Sequence, residues 1–387
     1  MPSVAVNPFI WSGPVEDAVE RSSFAREVAL ILKGGTHVAL FGSRGTGKTT
    51  FAVGLARELA VEHGDDAPGW EMLLVDLRHV ISLGAFSGAL ERALLEHPRL
   101  GRPARAAIAH WEAELAVNLG VVSARARRRA GPDDEIVALH ARLRALGELC
   151  DRLVVVFDEF QRLHACPGEP LSVIRSALMS ADRTGRVSLM LTGSLRGRLE
   201  MMLHDTREPI WDQTHDLELP ALDYEALLDY VSLKFEATRK PIGDAAVEHL
   251  LALSASHPKR TQHLAWNVWQ RAAGPVDRVD VQAAYDELLQ SPRLNAEFDR
   301  TIDTLLSGAK PDVNEARALF LLASGESAGS DKAAHRYGLA HAASTRRALD
   351  RLDARGLAIH RDGAWAIVDP LLAGYLRRSD RMLRPNA

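Results

Sequence analysis

"HVALFGSRGTGKTTFAV", residues His37 to Val53, passes from an apolar pentapeptide through a glycine-rich turn into a segment of helical pattern. "HVALF" reads as a short buried strand and "KTTFAVGLAREL" as an amphipathic helix. Between them "GSRGTGKT" satisfies G-x-x-x-x-G-K-[ST] with Gly42, Gly47, Lys48 and Thr49. In such a turn, glycines let backbone N–H groups curl around phosphates, and the helix N-terminus adds partial positive charge. Gly42, Ser43, Arg44, Gly45, Thr46, Gly47, Lys48, Thr49 and Thr50 therefore form the expected phosphate cradle. Lys48 would reach the β- and γ-phosphates of ATP, and the Thr49 hydroxyl would ligate Mg²⁺. The bland alternative is a glycine turn that holds nothing.

A second apolar run, "CDRLVVVFDEFQRLH", ends in Asp158 and Glu159. A buried parallel strand delivers such acids to the carboxyl edge of an α/β sheet, where ligands sit. Asp158 is expected to hold the metal shell and Glu159 to act as general base on the attacking water. A third run, "GRVSLMLTGSLRGRLEMML", ends in Thr192, Gly193 and Ser194. Either hydroxyl would touch the γ-phosphate or position the water; the rival role for Ser194 is to cap the next helix. In "SASHPKRTQHLAWNVW", Pro258, Lys259 and Arg260 stand where a helix begins. A cation there would sense a phosphate, solvated surface charge being the rival.

The chain's bulk properties bound the remaining choices. Its 387 residues suit two or three domains, with 47% hydrophobic and 25% charged residues and a formal net charge of −4. That balance does not advertise nucleic acid, although an average hides a basic end domain. Two cysteines, Cys150 and Cys166, are too few for a disulfide framework and suit a reducing cytosol. The N-terminus lacks a signal-peptide pattern, and no apolar stretch is long enough to cross a bilayer. The expected setting is cytoplasmic, with no membrane partner.

Together these pieces resemble the AAA+/STAND group of P-loop ATPases, and within it the prokaryotic "archaeal ATPase" type with a C-terminal winged helix. The resemblance starts at "NPFIWSGPVEDAVERSSFAREVALIL" and runs through "FGSRGTGKTT", "LVVVFDEFQRL", "LMLTGS" and "HPKRTQHL". It implies an α/β P-loop NTPase core with a parallel sheet, a helical lid and a winged-helix domain. By this likeness Pro258 and Arg260 become lid contacts to nucleotide, Ser194 or Thr192 the sensor, and Phe9 to Val15 a leader flanking the adenine. The implied division is 1–30 leader, 31–219 core, 220–300 lid and 301–387 winged helix. Relatives often carry a Gly-Arg downstream of the sensor strand as a finger for a neighbour's ATP, whereas "REPIWDQTHDL" offers Trp211-Asp212-Gln213. Arg207 or Arg196 would have to substitute. Such an arginine is worth about three to five orders of magnitude in rate, so its absence implies slow turnover and favours a switch over a motor.

"RPARAAIAHWEAELAVN" is helical in pattern, and the tract after it holds Arg125, Arg127, Arg128 and Arg129, either a solvated loop or a nucleic-acid contact. Near the C-terminus, "NEARALFLLAS", "SDKAAHRYGL" and "HAASTRRALDRLDARGL" read as three helices, followed by "AIHRDGAWAIVDP" as a hairpin about Asp362-Gly363. Leu349 and Leu352 would face the core, leaving Ser344, Arg346, Arg347 and Arg351, with Arg361 at the wing, for solvent or DNA. The module suits duplex DNA or a protein partner, and Asp350 and Asp353 dilute its charge. The leading expectation is an ATP-hydrolysing switch. Its rivals are a non-enzymatic, nucleotide-bound adaptor that docks a protein and an origin- or transposition-type ATPase that self-assembles on DNA.

Overall fold

The structure, a computed structural model, describes residues 6–15, 17–61, 70–107, 132–150, 152–179, 187–194, 196–308, 310–361 and 363–379. The chain divides into two compact units. One is Glu20–Gly42 with Lys48–Pro220; the other is Met1–Val19, Ser43–Gly47 and Ala221–Ala387.

The first unit runs α1 (Ser22–Lys33), β1 (His37–Phe41), α2 (Lys48–Val61), β2 (Glu71–Asp76), α3 (Leu83–Glu96), α4 (Pro132–Leu149), β3 (Leu153–Asp158), α5 (Pro170–Ile174), β4 (Val187–Gly193), α6 (Arg196–His204) and β5 (Thr214–Glu218). Its five strands are all parallel in the order β2-β3-β4-β1-β5. The runs "LVVVFD" and "VSLMLTG" are buried along their whole length, as strands covered on both faces must be. Because successive side chains alternate, Val154, Val156 and Met190 join the core formed with α1 and α2. Val155, Phe157, Leu189 and Leu191 join the opposite core with α3 and α4. Ser188 is buried within β4, and its hydroxyl donates at 2.7 Å to Leu32 O, a carbonyl at the end of α1 that also accepts from Gly35 N. β5 was not expected from its sequence. It is an edge strand of polar composition, exposed at His215, Asp216 and Glu218.

The register fixes what the sheet presents. Asp76 lies opposite Asp158, Asp158 opposite Thr192, and Phe41 opposite Gly193. The ends of four strands thus bring two acids, a hydroxyl and the start of the glycine loop to one edge.

The second unit holds α7 (Tyr224–Ala237), α8 (Asp244–Leu253), α9 (Pro258–Arg271), α10 (Arg278–Leu289), α11 (Pro292–Leu306), α12 (Lys310–Ser324), α13 (Asp331–Arg336), α14 (Ala342–Ala354), β6 (Ala358–Arg361), β7 (Ala364–Ile367) and α15 (Pro370–Arg378). Side-chain caps start many of these helices: Asp223 accepts from Ala226 N, Asp277 forms a capping box with Asp280, and Asp369 accepts from Leu371 N and Leu372 N. One continuous core runs from Phe9 through Phe235, Leu264, Phe298 and Leu349 to Leu376. The boundary expected between residues 300 and 301 falls inside α11, whose apolar face (Leu294, Phe298, Ile302, Leu305) belongs to that same core. Leu349 and Leu352 are buried, and β6 pairs antiparallel with β7 across Gly363. The leader straps onto this unit. Asn7 donates to Trp266 O, Lys234 donates to Pro8 O, and Phe9 packs against Phe235 at 5.0 Å.

Arg125, Arg127, Arg128, Arg129 and Asp362, all singled out in the sequence, lie outside the described residues, as does the side chain of Arg196. Among the described residues no helix is long and apolar enough to cross a membrane.

Candidate functional site

The loop between β1 and α2 needs glycine at two places. Gly45 and Gly47 have φ of 83° and 96°, a region that a side chain disfavours. From Gly47 the chain enters α2 at Lys48, which is only 6% exposed. Its ammonium folds back and donates to Gly42 O at 2.6 Å. Desolvation lowers the Lys48 pKa to about 8, although Glu159 and Asp158 oppose the drop. A buried cation leaning on a loop carbonyl is a strong receptor for anionic oxygen.

One residue further on, Thr49 Oγ1 donates to Asp158 Oδ2 at 2.7 Å. Thr192 Oγ1 donates to the other oxygen at 2.5 Å, so Asp158, 5% exposed, is gripped on both sides. A hydroxyl and a carboxylate side by side are hard oxygen ligands of the kind Mg²⁺ takes. Among the described residues no cluster of three His, Cys, Asp or Glu side chains would hold a metal unaided. The pair suits an ion whose remaining ligands are phosphates and water.

Glu159, the residue after β3, lies in the left-handed region, φ 62° and ψ 43°, unusual for a residue with a side chain. Its Oε2 accepts from Ser194 Oγ at 2.8 Å and from the Gln161 amide. The Ser194 hydroxyl thus serves Glu159. Gln161 was not foreseen in the sequence, nor was Arg78, which grips Asp76 with Nε and Nη2 at the end of β2. Arg78 also feels the charges of Asp158 and Glu159, which raise its pKa after the hydrogen bonds to Asp76.

In the second unit, the left-handed residues Ala255 and Ser256 (φ 48° and 50°) turn the chain sharply into α9. His257 caps that helix by accepting from Arg260 N on Nδ1, and Pro258 occupies its first turn. With Nδ1 an acceptor, Nε2 carries the proton and donates to Arg44 O at 3.1 Å. Desolvation keeps the His257 pKa below the ordinary histidine value. Lys259 N donates to Gly45 O at 3.2 Å. A Cβ at Gly45 would fall 2.7 Å from His257 Cε1, so this contact requires glycine as much as the backbone does. Thr46 Oγ1 closes the turn onto Ser43 O. These five loop residues belong to the same compact unit as α9.

Arg260, expected at a phosphate, is 4% exposed and bonds elsewhere. Its Nε donates to Asp369 Oδ1 and Oδ2 at 2.9 and 3.0 Å, with Nη2 also on that carboxylate, and the guanidinium lies over Phe298. Trp11 of the leader stacks on His263, with centroids 4.0 Å apart. Desolvation and the neighbouring Arg260 lower the His263 pKa to about 4, so the ring is neutral. Arg207, a candidate finger, pairs with Asp205.

At the C-terminal module, Arg346 and Arg347 are exposed on α14. Arg346 lies 3.6 Å from Asp350, and Arg347 has no ion-pair partner among the described residues. Ser344 is committed to a capping box with His341. Arg351 turns inward, its Nε donating to the buried Glu315 at 2.8 Å. Arg361 is exposed at the end of β6. An open groove of about 680 Å³ separates the start of α14 from the hairpin, bordered by Glu326, Arg346, His360 and Trp365.

No family model matches the chain, and no curated protein does. Solved structures do match. A Walker-type ATPase of Pyrococcus abyssi superposes with a TM-score of 0.64 at 16% identity, over 94% of this chain and 97% of that one. The Aeropyrum pernix ORC2 protein, solved in ADPNP–ADP complexes, gives 0.61 at 15% identity over 98% and 97%. Its ADP form gives 0.51 at 16% identity over the same shares. The chain shares the overall fold of these two structures, with the parallel-sheet P-loop NTPase core that the motif resemblance implied.

Proposed function

We propose that the chain binds ATP with Mg²⁺, hydrolyses it slowly, and passes the nucleotide state to a C-terminal winged-helix module that contacts duplex DNA. One turn of helix carries the reading. His257 and Lys259 hold the carbonyls of Arg44 and Gly45, and the next residue, Arg260, holds the cap of α15. A group that rearranges the phosphate loop therefore acts on residues adjacent to that cap.

The loop N–H groups and the Lys48 ammonium would bind phosphate oxygens, the ammonium exchanging Gly42 O for the ligand. Mg²⁺, when bound at Thr49 and Asp158, supplies charge neutralisation between the phosphates. Glu159 would take a proton from the attacking water while Ser194 keeps its carboxylate in place. Thr192 serves Asp158. Trp211-Asp212-Gln213 stands where relatives carry the Gly-Arg finger, and Arg207 is paired with Asp205, which supports slow turnover. At the output end, Arg346, Arg347 and Arg361 offer a narrow cationic face beside the hairpin, and phosphate contact suits that chemistry. Arg351, engaged with Glu315, supports the module's own packing.

The test is phosphate release by the purified protein with and without duplex DNA, paired with hydrogen exchange of α15 in ATP and in ADP. Magnesium-dependent release together with nucleotide-dependent protection of α15 is the expected result. Release with identical protection in both nucleotides would leave an ATPase and remove the relay; tight binding without release would favour the adaptor.

A further inference from the structure

The geometry points to Gln161 as a positioning residue that holds the general base Glu159 in its working orientation, an inference that rests on the hydrolytic reading of Glu159. Three observations carry it.

The first is the amide's one-sided use. Gln161 is 2% exposed, and its Nε2 donates to Glu159 Oε2 and lies 3.4 Å from Ser194 Oγ. Its Oε1 is buried with no hydrogen-bond partner. A buried acceptor left bare is costly, and buried amides normally settle into the rotation that satisfies both ends. Here a half-turn of the amide would set Oε1 against the Glu159 carboxylate, oxygen against oxygen. The Glu159 charge therefore dictates the orientation at the expense of the acceptor.

The second is Glu159's own backbone. In the left-handed region at the end of β3, its side chain leaves the strand on a course that neighbouring residues do not share. A carboxylate launched from such a position is held only by what grips it, here Gln161 and Ser194, both on Oε2. Neither of these contacts uses Oε1. That oxygen is the one available to take a water proton.

The third is room. A Cβ at Gly193 would fall 2.6 Å from Gln161 Oε1 and 2.8 Å from Leu199 Cδ2. Gly193 has an ordinary φ, so the need for glycine there is packing rather than backbone freedom. Sequence reading gave roles to Thr192 and Ser194 and none to Gly193. The structure gives Gly193 the task of admitting the amide.

The experiment compares Gln161→Met, which keeps length and loses the donor, with Gln161→Glu, which keeps the volume and replaces the donor by an oxygen. Wild type and Glu159→Gln are assayed first. Absent turnover in wild type sinks the hydrolytic reading, and turnover that survives Glu159→Gln sinks the role of Glu159; either result overturns the inference about Gln161 as well. With those controls passed, both Gln161 variants are expected to lower kcat at least tenfold while KM for ATP stays within twofold. Gln161→Met placed in the Glu159→Gln background should add no further loss, because the group it positions has gone. An unchanged or raised kcat, or a second tenfold loss in the double variant, overturns the inference.

Discussion

Replacing Lys48 by methionine should make the protein more stable while disabling it. The side chain is buried, and desolvation takes its pKa from 10.5 to about 8. At 1.36 kcal/mol for each tenfold change in proton affinity, that drop is a cost of about 3 kcal/mol borne by the folded state while the ammonium is charged. Methionine keeps the apolar stem and removes the charge. It also removes the hydrogen bond to Gly42 O, worth about 1 kcal/mol. At pH 7 the variant should therefore be about 2 kcal/mol more stable than wild type. The slope has the same sign as for a carboxylate whose pKa is lowered on folding, stability rising with pH, but here it is the charged form that is penalised. Below about pH 8 both folded and unfolded lysine are protonated and the cost is present in full. Between about 8 and 10.5 the folded protein has released a proton that the unfolded chain still holds, so wild type gains on the variant as pH rises.

Urea unfolding of both proteins at pH 7 and pH 10 measures this, because every other titrating group is common to the two and cancels in the difference. The midpoint gap should favour the Lys48→Met variant at pH 7 and shrink to near zero, or change sign, at pH 10. A variant less stable at pH 7, or a gap indifferent to pH, would refute the claim that a desolvated ammonium sits in this loop. ATP gives the other half of the result. Wild type should gain about 2.7 kcal/mol at a hundredfold excess over Kd, and the variant nothing.

Glu159→Gln should keep ATP affinity within about twofold by calorimetry while phosphate release falls by about two to four orders of magnitude. Wild-type affinity for ATP should itself weaken as pH climbs past about 8, since in the nucleotide-free protein Lys48 loses its proton there and phosphate must draw one back; calorimetry in two buffers of different ionisation enthalpy would detect that proton uptake. Arg347→Ala should lower duplex-DNA affinity and reduce the slope of log K against log salt by about 0.9. Arg351→Ala should leave that slope alone and lower the unfolding midpoint instead, because its guanidinium answers the buried Glu315.

Contacts between sequence neighbours were readable in advance, and those closed by the fold were not. The strand, glycine turn and helix from His37 to Val53 follow from local spacing, and the acids of β3 follow from an apolar run that ends abruptly. β5 was missed because an edge strand needs neither alternation nor apolar faces, and Thr214–Glu218 has neither. Gln161 carries no signal at all. Its distance of two residues from Glu159 means nothing until Glu159 turns left-handed and the short turn Phe160–Ala165 brings the amide back. Arg260 was legible as a cation at a helix start, but Asp369, 109 residues away, could not be inferred from spacing. Arg351 looked exposed on a helical wheel, which does not show that α12 places Glu315 beneath it.

On the proposed reading, the path through α9 also bounds how strong a switch this chain would be. A ligand moves an equilibrium only by its differential affinity for the two states. The proposed relay would run through two loop carbonyls, held by His257 and Lys259, and one ion pair between Arg260 and Asp369. A hydrogen bond to a charged group is worth about 1.5–3 kcal/mol net, and the neutral ones about 1. A γ-phosphate that drew Arg260 from Asp369 would exchange one charged contact for another, so the difference between ATP and ADP states lies near one such bond. That is about a ten- to hundredfold shift in population, short of the roughly 5.5 kcal/mol required to carry a two-state element from 1:99 to 99:1. Under the proposed function the output module would rest within about 1–2 kcal/mol of balance before nucleotide arrives, and a second input, DNA or a partner on the α14 face, would supply the remainder.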